Sequence, residues 1–226
     1  MPYHAPPFRD RAQAGQVLAG MLAHHAGPGT VVLAVPNGGV AVGVPVAWAL
    51  GCPLRLLVVR KIQIPGNSEA GFGAVASDGT AIYNQELLAR LGLTPAQVEI
   101  QKQKALASIR ERLALYGDWA RPPELGGRTV ILVDDGLASG VTMASAAGIV
   151  RQQAPARLVV AAPTASASAR QRLLPLVDEL VCPDVRAGPY FAVAEAYAHW
   201  RDLEVDEVLR LLENLPEQPE SGPGRA

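Results

Sequence analysis

The sequence predicts an α/β fold in three layers: a mostly parallel sheet with helices on both faces, plus a small irregular segment that can cap the site and one long loop. Three observations lead there. Residues 30–35, 54–59, 129–133, 157–162 and 179–182 are short runs of β-branched and aliphatic residues without polar alternation, the pattern of strands covered on both faces. Helix-periodic segments fall between these runs, which is the order that right-handed crossovers impose on parallel strands. The chain has 226 residues, 49% of them hydrophobic, enough for one well-filled core. We expect a single domain over residues 8–213, followed by a disordered tail over 214–226 that is poor in hydrophobic residues.

In chain order, Asp10 caps a helix whose apolar face is Ala14, Val17, Leu18, Met21 and Leu22. That helix ends near Gly27 and Gly29, and His24 and His25 close it, where imidazolium suits the dipole. After the first strand, Pro36-Asn37-Gly38-Gly39 turns the chain into an apolar helix reaching Leu50. Pro45 is tolerable there only near the first turn or at a kink. The second strand delivers Arg60 and Lys61 to the carboxyl edge. Residues 62–73 hold three glycines and a proline with little periodicity and read as a long functional loop. Asp78-Gly79 marks a hairpin between short strands at 74–77 and 81–83. Thr94-Pro95-Ala96-Gln97 opens a long helix with a capping box; its stripe is Val98, Ala105, Ile109, Leu113 and Tyr116, and Leu115 lies off it. Arg121-Pro122-Pro123 and Gly126-Gly127 then break the chain. Helices follow at 144–152 and 167–174, an aromatic-rich hood at 184–200, and a last helix from Val205 carrying Val208, Leu211 and Leu212.

Acidic and basic residues nearly balance, 21 against 20, so bulk charge argues for neither a nucleic-acid nor a membrane surface. No apolar run reaches the ~18 residues of a membrane span, and the amino terminus lacks a signal pattern, so a soluble cytoplasmic protein is expected. Cys52 and Cys182 stand alone and read as buried apolar residues of a reducing compartment. His4, His24, His25 and His199 show no ligand spacing shared with cysteine or acid.

The chemistry concentrates in residues 129–143, TVILVDDGLASGVTM. A buried strand ends in Asp134 and Asp135, at the edge where open α/β sheets bind ligands. Two carboxylates there can bind Mg²⁺, act as acid and base, or hold a diol. Gly136, Leu137, Ala138, Ser139, Gly140, Val141 and Thr142 follow, and they combine backbone freedom with amides and hydroxyls at a helix start, which suits a phosphate. No Walker A pattern is present. Acids for hydroxyls beside amides for phosphate describe a sugar-phosphate site.

The stretch VILVDDGLASGVT closely resembles the 5-phosphoribosyl-1-pyrophosphate (PRPP) motif of type I phosphoribosyltransferases. The resemblance implies that Asp134 and Asp135 hold the ribose hydroxyls and serve catalysis, and that residues 136–142 bind the 5-phosphate. Gly136 stands where an aliphatic residue is more usual, and Ser139 where Thr is commoner. Asn37, Gly38 and Gly39 fall at the family's pyrophosphate loop, where bacterial relatives often carry Arg in place of Asn37. Arg60-Lys61 with Pro65-Gly66 is similar to the basic segment of adenine phosphoribosyltransferases, and residues 62–73 correspond to the lid. The reaction implied is displacement of pyrophosphate from ribose C1 by an acceptor nitrogen, in a closed site that excludes water. Mg²⁺ is expected to bind mainly through PRPP. Ala138 disfavours hypoxanthine-guanine specificity, whereas Phe191, in Phe191-Ala192-Val193, resembles the base-stacking residue of 6-oxopurine enzymes. The acceptor, a nucleobase by expectation, stays open. A homodimer is expected by the same resemblance. A PRPP-sensing regulator without turnover is the rival reading, and a PRPP-using or phosphosugar-binding enzyme outside nucleotide salvage is a third.

Overall fold

The computed structural model describes residues 6–121, 123–188 and 190–215; the expected tail from residue 216 onward lies outside these. Its centre is a parallel sheet of five strands in the order β2-β1-β6-β7-β9. Strand β1 is Thr30–Ala34 and β2 is Leu54–Leu56. Three strands outside this sheet, β3 (Val59–Ile64), β4 (Asn67–Ala76) and β5 (Ala81–Tyr83), form an antiparallel sheet of their own. Strand β6 is Thr129–Val133, β7 is Arg157–Ala161 and β9 is Glu179–Val181. The short parallel pair β8 (Thr164–Ser166) and β10 (Asp184–Arg186) belongs to the hood. The mostly parallel α/β prediction therefore holds.

Why the core strands look uniformly apolar is visible in their packing. Val32, Ala34, Ile131, Val133, Val159 and Ala161 face one apolar cluster. Their neighbours Val31, Leu33, Val130, Leu132, Leu158 and Val160 face a second cluster on the other side. Both faces are dry, so neither parity carries polar residues. Helix α1 (Arg11–Met21) and α2 (Gly38–Leu50) supply the first cluster, with α4 (Pro95–Tyr116) and α7 (Val205–Glu213). Helix α5 (Val141–Arg151) and α6 (Ala167–Leu173) cover the second. Between β5 and α4 lies a short helix, α3 (Gln85–Leu91), which the sequence reading did not foresee.

Local signals account for the helix ends. The Asp10 carboxylate accepts the Gln13 N–H at 2.8 Å, and Thr94 with Gln97 forms the expected capping box. Pro45, by contrast, lies inside α2 rather than in its first turn. Its ring sits against Gly15 of α1, where a Cβ would come within 2.5 Å of the Val42 carbonyl oxygen and 3.0 Å of the proline ring. A glycine on α1 thus gives the backbone of α2 and its proline room to approach.

Two expectations require correction. The strand predicted over 54–59 is interrupted after Leu56, and Arg60 and Lys61 lie on β3 of the antiparallel sheet rather than on a parallel-strand end. Residues 62–73 are not an irregular loop: β3 and β4 form a hairpin across Pro65-Gly66, with register shifts beside Gln63. The glycines misled because they serve close strand packing; a Cβ on Gly71 would meet the Lys61 stem at 2.3 Å, and one on Gly73 the Ile82 carbonyl at 2.4 Å.

Candidate active site

The carboxyl ends of β1 and β6 bring two of the predicted loops into contact. A Cβ on Gly38 would lie 1.8 Å from Asp135 Oδ2, and one on Gly39 would lie 2.7 Å from the Val133 carbonyl oxygen. Only glycine lets the start of α2 lie against the acid pair. The Pro36–Asn37 peptide bond preceding it is cis.

The two acids differ in environment. Asp134 Oδ1 accepts the backbone N–H of Asp135 at 2.9 Å. Burial, and then the neighbouring Asp135 charge, hold its carboxyl well above the usual carboxylate range. Asp135 is instead paired: Arg11 Nε donates to its Oδ2 at 2.8 Å, with both side chains largely buried. Arg11 also donates through Nη1 to the Arg201 carbonyl at 2.8 Å and lies 3.9 Å from the centre of the Trp200 ring. The Tyr197 hydroxyl donates to the Asp135 carbonyl oxygen at 2.6 Å. Burial, then the Asp135 charge, keep this phenol protonated by raising its pKa. One acid thus has its pKa raised by burial and its neighbour, while the other is ion-paired to an arginine that the hood holds.

After the acids, Gly136 passes beneath the hood, where a Cβ would strike the Val193 side chain at 2.3 Å. The departure at Gly136 has its cause here: Val193 fills the space that a larger residue would take. Leu137 is spent on structure. Its N–H donates to the Thr164 carbonyl, and its own carbonyl accepts from Ser166 N–H, both at 3.0 Å. Ser166 Oγ donates to the Ala138 carbonyl at 2.6 Å, and Arg172 donates to the Ser139 carbonyl. With those carbonyls tied back, Ala138, Ser139 and Thr142 stand exposed around the start of α5. Gly140, at φ +70°, occupies the N-cap of α5 with Ala169 only 3.0 Å from where its Cβ would be. Ser139 Oγ is 3.4 Å from the Val141 N–H. The N–H groups of Ala138, Ser139, Gly140 and Thr142 have no hydrogen-bond partner among the described residues. An open, amide-lined helix start has the chemistry to accept an anion.

The other predicted residues lie outside the acid pair and the start of α5, with Arg60 and Lys61 on the antiparallel sheet. The Asn37 side chain is fully engaged, donating to the Leu203 carbonyl at 2.7 Å and accepting from the Tyr116 hydroxyl. Tyr116 interacts electrostatically with Arg60 and Arg112, which lie close enough to repel each other. Burial, then Arg112, lowers the Arg60 pKa. Neither guanidinium has a carboxylate partner among the described residues. Arg60 and Lys61 also line a cavity of about 160 Å³ with Gln63, Gln101 and Lys104. Phe191 is half-buried in the hood, in none of the three apolar clusters. A larger cleft of about 600 Å³ opens behind Arg11, lined by Trp200, Arg201, Leu203 and Arg210 among others.

Sequence reasoning missed Arg11, Arg112 and the role of Tyr116. Arg11 meets Asp135 across 124 positions and belongs to no motif. Tyr116 read as part of an apolar stripe, and its ring is indeed buried, but its hydroxyl reaches Asn37.

With this geometry in view, residues 16–186 match the model of the phosphoribosyl transferase domain. The chain belongs to that family. It is 34% identical over 206 residues to a protein of Mycobacterium tuberculosis, strains CDC 1551 and H37Rv, that carries the name "Putative phosphoribosyl transferase". That alignment takes in 91% of this chain and 46% of the relative, so the chain spans about half the length of the curated relatives it matches. A crystal structure of TT1426 from Thermus thermophilus is similar over nearly the whole molecule. It is 34% identical, with a TM-score of 0.82 covering 93% of this chain and 99% of that one. The resemblance read from VILVDDGLASGVT is therefore correct at the level of the family. Among the described residues no helix of this phosphoribosyltransferase-family chain is long and apolar enough to cross a membrane.

Proposed function

We propose that this phosphoribosyltransferase-family chain binds PRPP and transfers its 5-phosphoribosyl group to a nitrogen acceptor, a nucleobase by preference, releasing pyrophosphate. The observation that carries the reading is the adjacency of the Asp134–Asp135 pair to the partner-free amides at the start of α5. Hydroxyls of a ribose fit the first and a terminal phosphate the second. In this reading Arg60 and Arg112 receive the pyrophosphate end, two like charges held together until an anion joins them. Asn37 is then a strut, and the cation missing from its position comes from α4.

Asp135, ionised and held by Arg11, faces the ribose and offsets the positive charge that grows on the ring as pyrophosphate leaves. Asp134, in its protonated form, is able to donate as well as accept at a ribose hydroxyl. Asp135 is already paired with Arg11, so we expect Mg²⁺ to be bound mainly through PRPP, where it would offset the charge of the leaving group, with few ligands from the chain.

The test is titration calorimetry with PRPP and Mg²⁺ on the wild type and the Asp134→Asn, Asp135→Asn double variant, followed by pyrophosphate release with purines, pyrimidines and amines. Tight binding by the wild type, its loss in the variant and acceptor-dependent release support the proposal. Equal affinity in both proteins sinks the site assignment. The engaged side chain of Asn37 favours one alternative, a sensor that binds PRPP without turnover; binding with no release from any acceptor would select it.

A further inference from the structure

At the opposite edge of the sheet, His24, His25 and Glu179 form a cluster that plays no part in the proposed PRPP site. The ligand-capable atoms of these three residues lie within 4.8 Å of one another. His25 Nε2 is 2.9 Å from Glu179 Oε2, and His24 Nε2 is 3.4 Å from Glu179 Oε1. The histidines follow α1 in a short 3-10 turn, Ala23–His25, and Glu179 is the first residue of β9. The sequence reading found no ligand spacing for these histidines because the third member is 154 residues away.

We propose that His24, His25 and Glu179 form a transition-metal site, and that Zn²⁺ is the ion their chemistry fits. Four-coordinate zinc takes imidazole nitrogen and carboxylate oxygen at about 2.0–2.2 Å, so its ligand atoms stand roughly 3.3 Å apart. Measured to the single oxygen Glu179 Oε2, the separations of 2.9 Å from His25 Nε2 and 3.5 Å from His24 Nε2 bracket that edge before any ion arrives. Two imidazoles with one carboxylate is a borderline donor set, which selects zinc, cobalt or nickel over magnesium or calcium. His24 is exposed, which leaves the fourth position to water.

The surroundings are those of a supported ligand set. The ring centres of His24 and His25 lie 4.0 Å apart with the planes tilted by 43°, and both Nε2 atoms approach the same carboxylate. Arg157 Nη1 is 3.5 Å from Glu179 Oε2 and steadies that oxygen from outside the triad. The Thr30 hydroxyl donates to the His25 carbonyl at 2.6 Å, which pins the turn to the start of β1. An ion here clips the end of α1 to β9, the edge strand of the central sheet. Its role is structural, since the sheet's other edge carries the proposed chemistry.

The experiment uses the full chain freed of metal by chelator. Zn²⁺ uptake is measured by competition with a chromophoric chelator, and thermal unfolding is followed with Zn²⁺ and with Mg²⁺. One Zn²⁺ per chain is expected. At a free concentration of about 100 times Kd it should raise Tm by roughly 5–10 °C, with no effect of Mg²⁺. Co²⁺ should give the visible absorption of a four-coordinate ion. His24→Ala, at an exposed side chain, and Glu179→Gln should each weaken Zn²⁺ at least tenfold and abolish the Co²⁺ band. The unfolding temperature of the metal-free His24→Ala protein should match that of metal-free wild type, which separates ligation from folding. No stoichiometric uptake by the wild type, or unchanged affinity in His24→Ala, overturns the site.

Discussion

Replacing Arg11 by Met should cost this protein more stability than any other single change of a charged residue near the site. Arg11 and Asp135 are ion-paired at 2.8 Å with side-chain exposures of 9% and 15%, so methionine leaves a carboxylate with little access to water. Breaking a buried pair from one side costs about 3–5 kcal/mol. At about 2–4 °C per kcal/mol for a domain of this size, Tm should fall by roughly 6–20 °C. The neighbouring Trp200 ring, 3.9 Å from the guanidinium, would keep some of its packing against methionine, which favours the lower half of that range. The deciding measurement is a double-mutant cycle in urea. Asp135→Asn added to Arg11→Met removes the stranded charge, so the double variant should recover at least about 1.5 kcal/mol over Arg11→Met alone. Arg11→Met within 2 °C of wild type, or a double variant no more stable than the single, would refute the view that Arg11 is there to hold Asp135.

Three further outcomes follow from the same geometry. Asp134→Asn should stabilise the protein above the ordinary carboxylate pKa: a carboxyl whose native pKa is raised contributes fully below about pH 3.9 and loses that contribution as pH rises through its native value, whereas asparagine stays neutral. Melting curves from pH 4 to pH 8 should therefore separate the two proteins progressively, and a constant difference would count against the raised pKa. Gly38→Ala places a methyl on Asp135 Oδ2, so it should lower stability by about 1–3 kcal/mol in denaturant titrations and weaken PRPP binding in calorimetry. Arg112→Gln should weaken PRPP by roughly 10–100-fold at unchanged or higher Tm, with partial recovery in Arg112→Lys; an unaltered Kd removes Arg112 from the site.

How much could be read in advance depended on whether a residue's partner was local. The buried strands, the Thr94 capping box and the acid pair at the end of β6 were legible because each is written within a few consecutive positions. Residues 62–73 were not, since glycine signals both a loop and a strand that must let a neighbour close in, and only the packing of Gly71 and Gly73 tells the two apart. Arg60 and Lys61 were placed on the wrong sheet for a related reason. The aliphatic run continues unbroken through Leu57, Val58 and Val59 while the chain leaves one sheet for another. Arg11 and Arg112 carry no local pattern at all, because what gives them meaning is a charge or its absence across the fold.

These long-range contacts bear on how two adjacent acids are tolerated beside the proposed phosphate site. A pair of free carboxylates would repel a phosphate approaching the start of α5. Here burial and the neighbouring charge raise the Asp134 pKa and Asp135 is matched by Arg11, and both effects reduce the negative charge of the acid pair. The guanidinium that does this is itself held by the hood, through the Arg201 carbonyl and the Trp200 ring, while Tyr197 holds the backbone of Asp135. The hood therefore sets the electrostatics of the acid pair as well as covering it. The unneutralised charge stands elsewhere, on Arg60 and Arg112, where no carboxylate among the described residues answers it. In the proposed reading the ribose lies at the acid pair and the pyrophosphate at Arg60 and Arg112, an arrangement that suits a ligand with a diol between two anionic ends.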